Sequence, residues 1–361
     1  MSVSIVPTIR DVAKRAGVAP ITASRVVNNP ETVSAHTRER VEQAIQELGY
    51  VPNRVARSLR LRRTQTLALV VTDITNPFWT TVARGVEDAA QSAGFNVILC
   101  NTDESESKQQ RYLDVLLQKR VDGILLVPAG ASTELGEWIR RQSTPLVMLD
   151  RRIRLAQVDV VCGDSEGGAH QLVRHLLSLG HQSIAVLSGP RGVSTAEDRV
   201  NGYRRALTEA GLEVRADWVR YGEFGQKSGY VMARQVLATV PPPTALFAAN
   251  NFIAVGALRA LREAGLRVPQ DISVVAFDDA VSELVIEPFL TVVDQPAYEM
   301  GKRATELLLA RLSGSAANGH QEIVLPTQLA VRRSSSPCGS SGQPVYKFPE
   351  AIALGERGGG S

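Results

Sequence analysis

Within seven residues, Thr22, Ser24, Arg25 and Asn28 gather two hydroxyls, a guanidinium and an amide, while Ala23 and Val26 between them are apolar. On a short helix that spacing turns the polar groups outward and the apolar pair inward. Such groups hydrogen-bond phosphate oxygens and base edges, and Arg in particular matches the O6 and N7 acceptors of guanine. The segment that carries them, residues 8–29, reads TIRDVAKRAGVAPITASRVVNN. Thr8 and Asp11 have the spacing of a capping box, and Val12, Ala13 and Ala16 recur at helical period. Gly17 permits a tight turn, and Pro20 opens the second helix where a missing N–H goes unused. A third amphipathic helix runs from Val33 to Leu48, capped at Ser34, with Val41, Ala44, Ile45 and Leu48 on one face and Gly49 just past its end. Three helices can close a small core where two cannot, so residues 1–50 are expected to form a helix-turn-helix headpiece that contacts DNA.

A second set of polar groups recurs at one topological position. Asp73 and Asn76, Asp150 and Arg151, Asn250 and Asn251, and Asp278 and Asp279 each end or follow an apolar run. The runs at 67–73, 96–101, 123–128, 145–150, 183–189, 245–250 and 273–279 lack polar alternation, as strands buried on both faces do. Segments of helical period lie between them, at 78–93, 107–118, 167–179, 197–210, 227–238, 253–264 and 296–312. That alternation predicts parallel sheets flanked by helices, where ligands bind at the carboxyl ends of strands. A lone Asp or Asn at such a place is a turn former or helix cap. Its recurrence points to a ligand site.

Composition narrows the chemistry. At 361 residues the chain has room for two or three domains. Residues 1–63 hold 11 Lys and Arg against 5 Asp and Glu, a net +6; of the chain's 40 and 37, that leaves 29 against 32, a net −3, for the rest. A basic small segment joined to a mildly acidic large one suits phosphate contact at one end and a neutral or weakly charged ligand at the other. Cys100, Cys162 and Cys338 have neither metal nor redox spacing. His170, His175 and His181 do not fall on one helical face as a metal pair requires. No GxGxxG follows a strand and no GxxxxGKS/T occurs, so nucleotide chemistry lacks its usual handles. There is no leader with a long apolar run, and no stretch approaches the roughly 18 apolar residues of a spanning helix. A cytoplasmic, non-enzymatic protein with no cofactor, no metal and no membrane partner is expected.

The run at 8–29, continued by VSAHTRERVEQAIQELGYVPNRVARSL, resembles the lactose-repressor (LacI/GalR) family of bacterial transcription factors. The resemblance extends from about Thr8 to Arg333 and leaves the last 28 residues outside it, the later array being similar to periplasmic sugar-binding proteins. It implies an α/β chain, with a small all-α headpiece and a two-lobed periplasmic-binding-protein-like (type I) sensor of parallel sheets flanked by helices. The expected boundaries are 1–50 for the headpiece, 51–63 for a hinge helix, 64–333 for the sensor and dimerisation domain, and 334–361 for a tail whose Gly, Ser and Pro content reads as disordered. The lobes are expected over 64–163 with 294–322 and over 164–291 with 323–333, joined by three chain crossings.

The resemblance also implies roles. The helix from Pro20 to Asn28 would enter the major groove with Arg25 on guanine, while Thr8, Thr22, Ser24, Asn28, Ser34, Thr37 and Asn53 would hold phosphates. The two positions after Ala19 are the family's main base readers, and here they are Pro20 and Ile21, of which Ile21 can at most meet a thymine methyl. In the hinge segment PNRVARSLRL, too short to hold a helix alone, Val55 and Ala56 would join two copies and Leu59 would wedge into the minor groove. In the sensor, Asn76, Phe78, Trp79, Asp150, Arg151, Arg199, Phe224, Asn250, Asp278 and Gln295 would surround a ligand. Flat apolar faces mixed with charged and amide groups suit a sugar. The implied protein is a homodimeric regulator of a palindromic operator, usually a repressor, controlled by a pentose- or hexose-like monosaccharide. A sugar acid or sugar phosphate is an alternative, since two Arg can hold an anion; a solute-binding receptor without regulatory role is another. The tail lacks Leu heptads, which favours a dimer over a tetramer.

Overall fold

A computed structural model describes residues 7–51, 64–130, 132–153, 157–279 and 288–339. The chain divides into two units, 1–64 and 65–361. In the first, α1 (Ile9–Ala16), α2 (Pro20–Asn28) and α3 (Ala35–Leu48) enclose Val12, Ala13, Ala16, Ala23, Val26, Val41 and Ala44. The Thr8 hydroxyl and backbone N–H both donate to the Asp11 carboxylate, at 2.7 and 2.8 Å, which starts α1 and holds that carboxyl below its usual range. Gly17 ends α1 at φ +61°, and the Arg40 guanidinium closes on the Ala16 carbonyl at 2.5 Å. Ser34 precedes α3, but its hydroxyl donates to Thr37 Oγ1 at 3.0 Å and takes no helix N–H, so the expected side-chain cap is not made.

The second unit is built on two sheets. One contains β1 (Thr66–Val71), β2 (Asn96–Asn101), β3 (Gly123–Leu126), β4 (Leu146–Leu149), β5 (Asp159–Gly163) and β11 (Glu322–Leu325), in the order β11-β5-β4-β3-β1-β2. The other contains β6 (Ile184–Ser188), β7 (Val219–Tyr221), β8 (Ala245–Ala248), β9 (Ser273–Phe277), β10 (Thr291–Asp294) and β12 (Gln328–Ala330), in the order β12-β10-β9-β8-β6-β7. Every pairing is parallel except β10 with β12. The first sheet is flanked by α4 (Pro77–Ser92), α5 (Glu106–Gln118), α6 (Thr133–Arg141) and α11 (Ala297–Ser313); the second by α7 (Ser165–Ser178), α8 (Ser194–Glu209), α9 (Gln226–Leu237) and α10 (Asn251–Glu263). Each sheet packs an apolar cluster on both faces, which is why its inner strands read as unbroken apolar runs.

The chain crosses between lobes three times, from β5 to α7, from β10 to α11 and from β11 to β12. Residues 323–325, expected in the second lobe, lie in the first, because β11 pairs with β5 in register from Glu322 opposite Val160 to Leu325 opposite Gly163. Residues 334–339 also depart from the expected disordered tail. Ser334 is buried, its hydroxyl donating to the Val274 carbonyl at 2.6 Å and accepting the Thr291 N–H at 2.7 Å. His181 fastens the same strap. Its Nε2 lies 3.0 Å from the Ser336 carbonyl, which only accepts, so Nε2 carries the proton and Nδ1 faces Thr244 Oγ1 at 2.9 Å.

Burial holds the His181 imidazole below its usual 6.5. A base depressed in the folded state lends stability above the unfolded value and loses it as pH falls below that value. The stability gap between the wild type and His181→Ala, read by urea denaturation, should be widest near pH 8 and shrink by about pH 5.5. A gap that widens on acidification would show that the ring is held as a cation.

Candidate functional site

Along α2, Pro20, Ile21 and Arg25 are exposed, Ile21 at 65 %, while Thr22, Ser24 and Asn28 are half-buried. Thr8 and Ser34 are exposed and Thr37 half-buried. Asn28 Nδ2 donates to the Ser24 carbonyl at 2.7 Å, so part of its amide is used within the helix. What this surface offers a partner is therefore a guanidinium, an apolar tip and scattered hydroxyls. Asn53, Val55, Ala56 and Leu59 lie outside the described residues.

In the second unit, Asn76, Phe78, Trp79, Asp150, Arg151, Arg199, Phe224, Asn250, Asp278 and Gln295 all line one cavity at the carboxyl ends of both sheets, with Asp73, Glu104 and Thr195. Asp150 follows β4 and Asp278 follows β9, equivalent strands in the two sheet orders. Both adopt left-handed backbone, at φ +62° and +63°, and donate their N–H to the neighbouring strand at 2.9 Å, Asp150 to Val161 and Asp278 to Val293. Each side chain thus leaves its strand end into the cleft.

The polar walls are interlocked. Arg151 grips the Glu104 carboxylate with two hydrogen bonds, at 2.6 and 2.7 Å, donates to the Pro128 carbonyl at 2.9 Å, and lies 4.9 Å over the Phe224 ring. Arg199 donates to the Ala249 carbonyl at 2.6 Å, stands 3.9 Å from the Asp278 carboxylate and stacks on Phe277. Gln295 Nε2 donates to Asp278 at 2.8 Å. Burial pushes the Asp150 and Asp278 carboxyls up, Asp278 to about 6, with Arg199 pulling the other way in each case. Asp150 Oδ1, Gln295 Oε1, Arg151 Nε and Arg199 Nε are buried without a hydrogen-bond partner in the protein. Buried polar atoms seek partners, and acceptors and donors facing one space suit a ligand hydroxyl, which does both.

Two expected ligand amides are otherwise employed. Asn76 Oδ1 caps α4 by accepting the Phe78 N–H at 3.1 Å, and its amide pairs reciprocally with that of Asn251 at 2.9 and 3.0 Å. Asn250 caps α10 through Ile253 N at 2.7 Å and donates to the Phe224 carbonyl at 3.2 Å. Helix N-termini leave unpaired N–H groups, and these Asn stand where they satisfy them. The Asn76–Asn251 pair also joins the lobes, as does Arg152, which bonds Asp198 on α8 and Glu322 on β11. Trp79 belongs to the core of the first lobe as much as to the cavity, meeting Phe78 edge to face at 4.8 Å. Asp73 accepts from Thr75 N and Oγ1 at 2.9 and 2.6 Å, as a strand-end cap.

A family model described as bacterial regulatory proteins, lacI family, matches residues 8–53, and another, described as periplasmic binding proteins and sugar binding domain of LacI family, matches 64–329. The chain belongs to the LacI family. It is 40% identical over 306 residues to the HTH-type transcriptional repressor PurR of Vibrio campbellii, covering 84% of this chain and 92% of that one. Among solved structures, a complex of the transcriptional regulator CelR with cellobiose is 37% identical with a TM-score of 0.70, covering 91% and 100% of the two chains. The lac repressor dimer bound to operator and the anti-inducer ONPF is 32% identical with a TM-score of 0.80, covering 91% and 99%. As a LacI-family member the chain is a DNA-binding transcriptional repressor with a ligand-binding domain. Among its described residues no group of His, Cys, Asp and Glu is placed to hold a metal ion, and no helix is long and apolar enough to cross a membrane.

Glu104 and Thr195 line the cavity without being among the residues expected there, whereas Asn251 belongs to the strand-end set named from the sequence. Glu104 also follows a strand end, the signal that found Asp150, Asn251 and Asp278.

Asp278 folds with its carboxyl at about 6 against an ordinary 3.8, so its protonated form favours the folded state below pH 3.8 and that contribution is lost as pH rises through about 6. Asp278→Asn should therefore stabilise the ligand-free protein by roughly 1–3 kcal/mol at pH 8. Thermal denaturation should show the gain vanish near pH 4; equal stability at pH 8 would mean that Arg199 and Gln295 fully offset the burial.

Proposed function

We propose that this LacI-family member represses transcription from a palindromic operator and that a pentose- or hexose-like monosaccharide, held between the sensor lobes, sets its affinity for DNA. The observation that carries the effector reading is the facing pair of buried carboxylates, Asp150 and Asp278, with Arg199 beside them and the rings of Phe78, Trp79 and Phe224 on the same cavity. A sugar offers hydroxyls that donate to carboxylates and accept from guanidiniums, and C–H faces that lie against rings. A missing hydroxyl would leave a buried group unpaired, which makes such a site discriminating. The cellobiose complex of the relative CelR supports the same ligand class.

On the DNA side, Arg25 reads guanine in the major groove and Ile21 meets a thymine methyl, while Thr8, Thr22, Ser24, Asn28, Ser34, Thr37 and Asn53 hold phosphates. Val55 and Ala56 join the two hinge segments of a homodimer and Leu59 wedges into the minor groove. A ligand touching both lobes biases their closure, by no more than its difference in affinity for the two arrangements.

Fluorescence anisotropy should show a palindromic duplex bound far more tightly than a scrambled one, with affinity falling steeply as salt rises. Arg25→Ala should lose about 1–3 kcal/mol on the palindrome and little on random duplex; an equal loss on both would make Arg25 a phosphate contact. A thermal-shift screen across monosaccharides identifies the effector. Arg199→Ala should abolish that shift while leaving ligand-free operator affinity intact, and loss of both would assign Arg199 to the fold.

A further inference from the structure

We propose that Glu104 sets the charge class of the effector: by occupying the Arg151 fork, it reserves the cleft for uncharged polyols and turns away sugar acids and sugar phosphates. The inference rests on the carbohydrate reading above and narrows it.

Arg151 is the guanidinium an anionic sugar would seek, since a planar fork binds carboxylate or phosphate through two parallel bonds. Its side chain is 5 % exposed, and both terminal nitrogens are already engaged, Nη1 with Glu104 Oε2 and the Pro128 carbonyl, Nη2 with Glu104 Oε1. Glu104 thus stands where the carboxylate of a sugar acid would stand. Arg199 offers no substitute, its Nη1 being held by the Ala249 carbonyl and its Nη2 facing Asp278. The cavity wall also carries Asp73, Glu104, Asp150 and Asp278 against Arg151 and Arg199, so an anion enters against like charge.

The loop that delivers Glu104 is built for that placement. Asp103 and Glu104 are consecutive side-chain-bearing residues in the left-handed region, at φ +53° and +57°, a conformation that L residues disfavour. It is braced around Asp103, which accepts from Asn101 Nδ2 at 2.6 Å and from the Lys108 ammonium, and by the Glu104 N–H on the Thr72 carbonyl at 3.3 Å. Neutralised in place, Arg151 becomes a flat wall against Phe224 of the other lobe.

The test is calorimetric titration of the full chain with D-glucose, D-galactose and D-ribose, each beside its anionic counterpart, D-glucuronate, D-galacturonate and ribose 5-phosphate. The wild type should prefer the best neutral sugar over its counterpart by about 100-fold or more. Glu104→Gln should cut that ratio at least about tenfold by raising affinity for the anion, and adding Arg151→Met should erase the gain. An unchanged ratio in Glu104→Gln, with both ligands weakened alike, assigns Glu104 to structure and overturns the proposal. Wild-type preference for an anion overturns it even if the variant fails to fold, while leaving the carbohydrate reading standing. Binding of none of these sugars overturns both.

Discussion

A carboxylate withdrawn from water is tolerated only where fixed donors or cations meet its charge, and the sensor holds two such groups, Asp150 and Asp278, on one cavity. Much of the surrounding architecture answers to them. The left-handed turn after β4 and after β9 lifts each from its sheet, Arg199 opposes the effect of burial on both, and Gln295 donates to Asp278. Because the two Asp sit at equivalent positions of two similar sheets, the cleft has an approximate internal symmetry that its ligand need not share. Arg151 and Glu104 beside Asp150 have no equivalent pair beside Asp278, where Arg199 and Gln295 stand instead.

The same groups touch the places where the chain passes between lobes. Gln295 follows β10 at one crossing, and its Oε1 lies over Gly163 at another, so closely that a Cβ on that glycine would come within 2.0 Å of it. Asp164, the next residue, donates its N–H to the Leu325 carbonyl at the end of β11, where the third crossing begins. Asp278 is thus linked through Gln295, Gly163 and Asp164 to all three crossing strands. Asn76–Asn251 and Arg152–Asp198 also join the lobes directly. Protein contacts thus contribute to closure alongside whatever a ligand supplies.

The long inner strands and most helices were legible because burial on both faces leaves an unbroken apolar run, as in Leu67–Val71 or Ser273–Phe277. The elements that were not foreseen are short or lie at an edge. β7, β11 and β12 have three or four residues with partial exposure, and β11 alternates exposed and half-buried, which reads as loop. The cavity residues were legible through strand ends and family motif together. What the motif could not convey was how each side chain is spent. Asn76 and Asn250 satisfy helix N-termini, and only the fold shows it. Glu104 went unnoticed because an acid in the polar run TDESES looks like a solvated loop until its turn is seen to point it at Arg151.

The headpiece poses the opposite problem, for its helices were plain in the sequence while its means of discrimination is sparse. Pro20 and Ile21 stand exposed on α2 without a side-chain donor, and Asn28 is partly used within the helix. One bidentate Arg contact separates right from wrong base by about 1–3 kcal/mol, far less than the roughly 4–10 kcal/mol that divides specific from non-specific binding in typical repressors. Phosphate contacts cannot close that gap, because they bind any duplex equally well. In the proposed homodimer two headpieces on a two-fold site double the direct term, and deformation of the DNA between half-sites adds to it. Both contributions exist only while the two headpieces keep a fixed spacing. On the proposed reading, a regulator with few base-reading side chains gains specificity from its dimeric frame, and a ligand that alters the frame acts on that specificity.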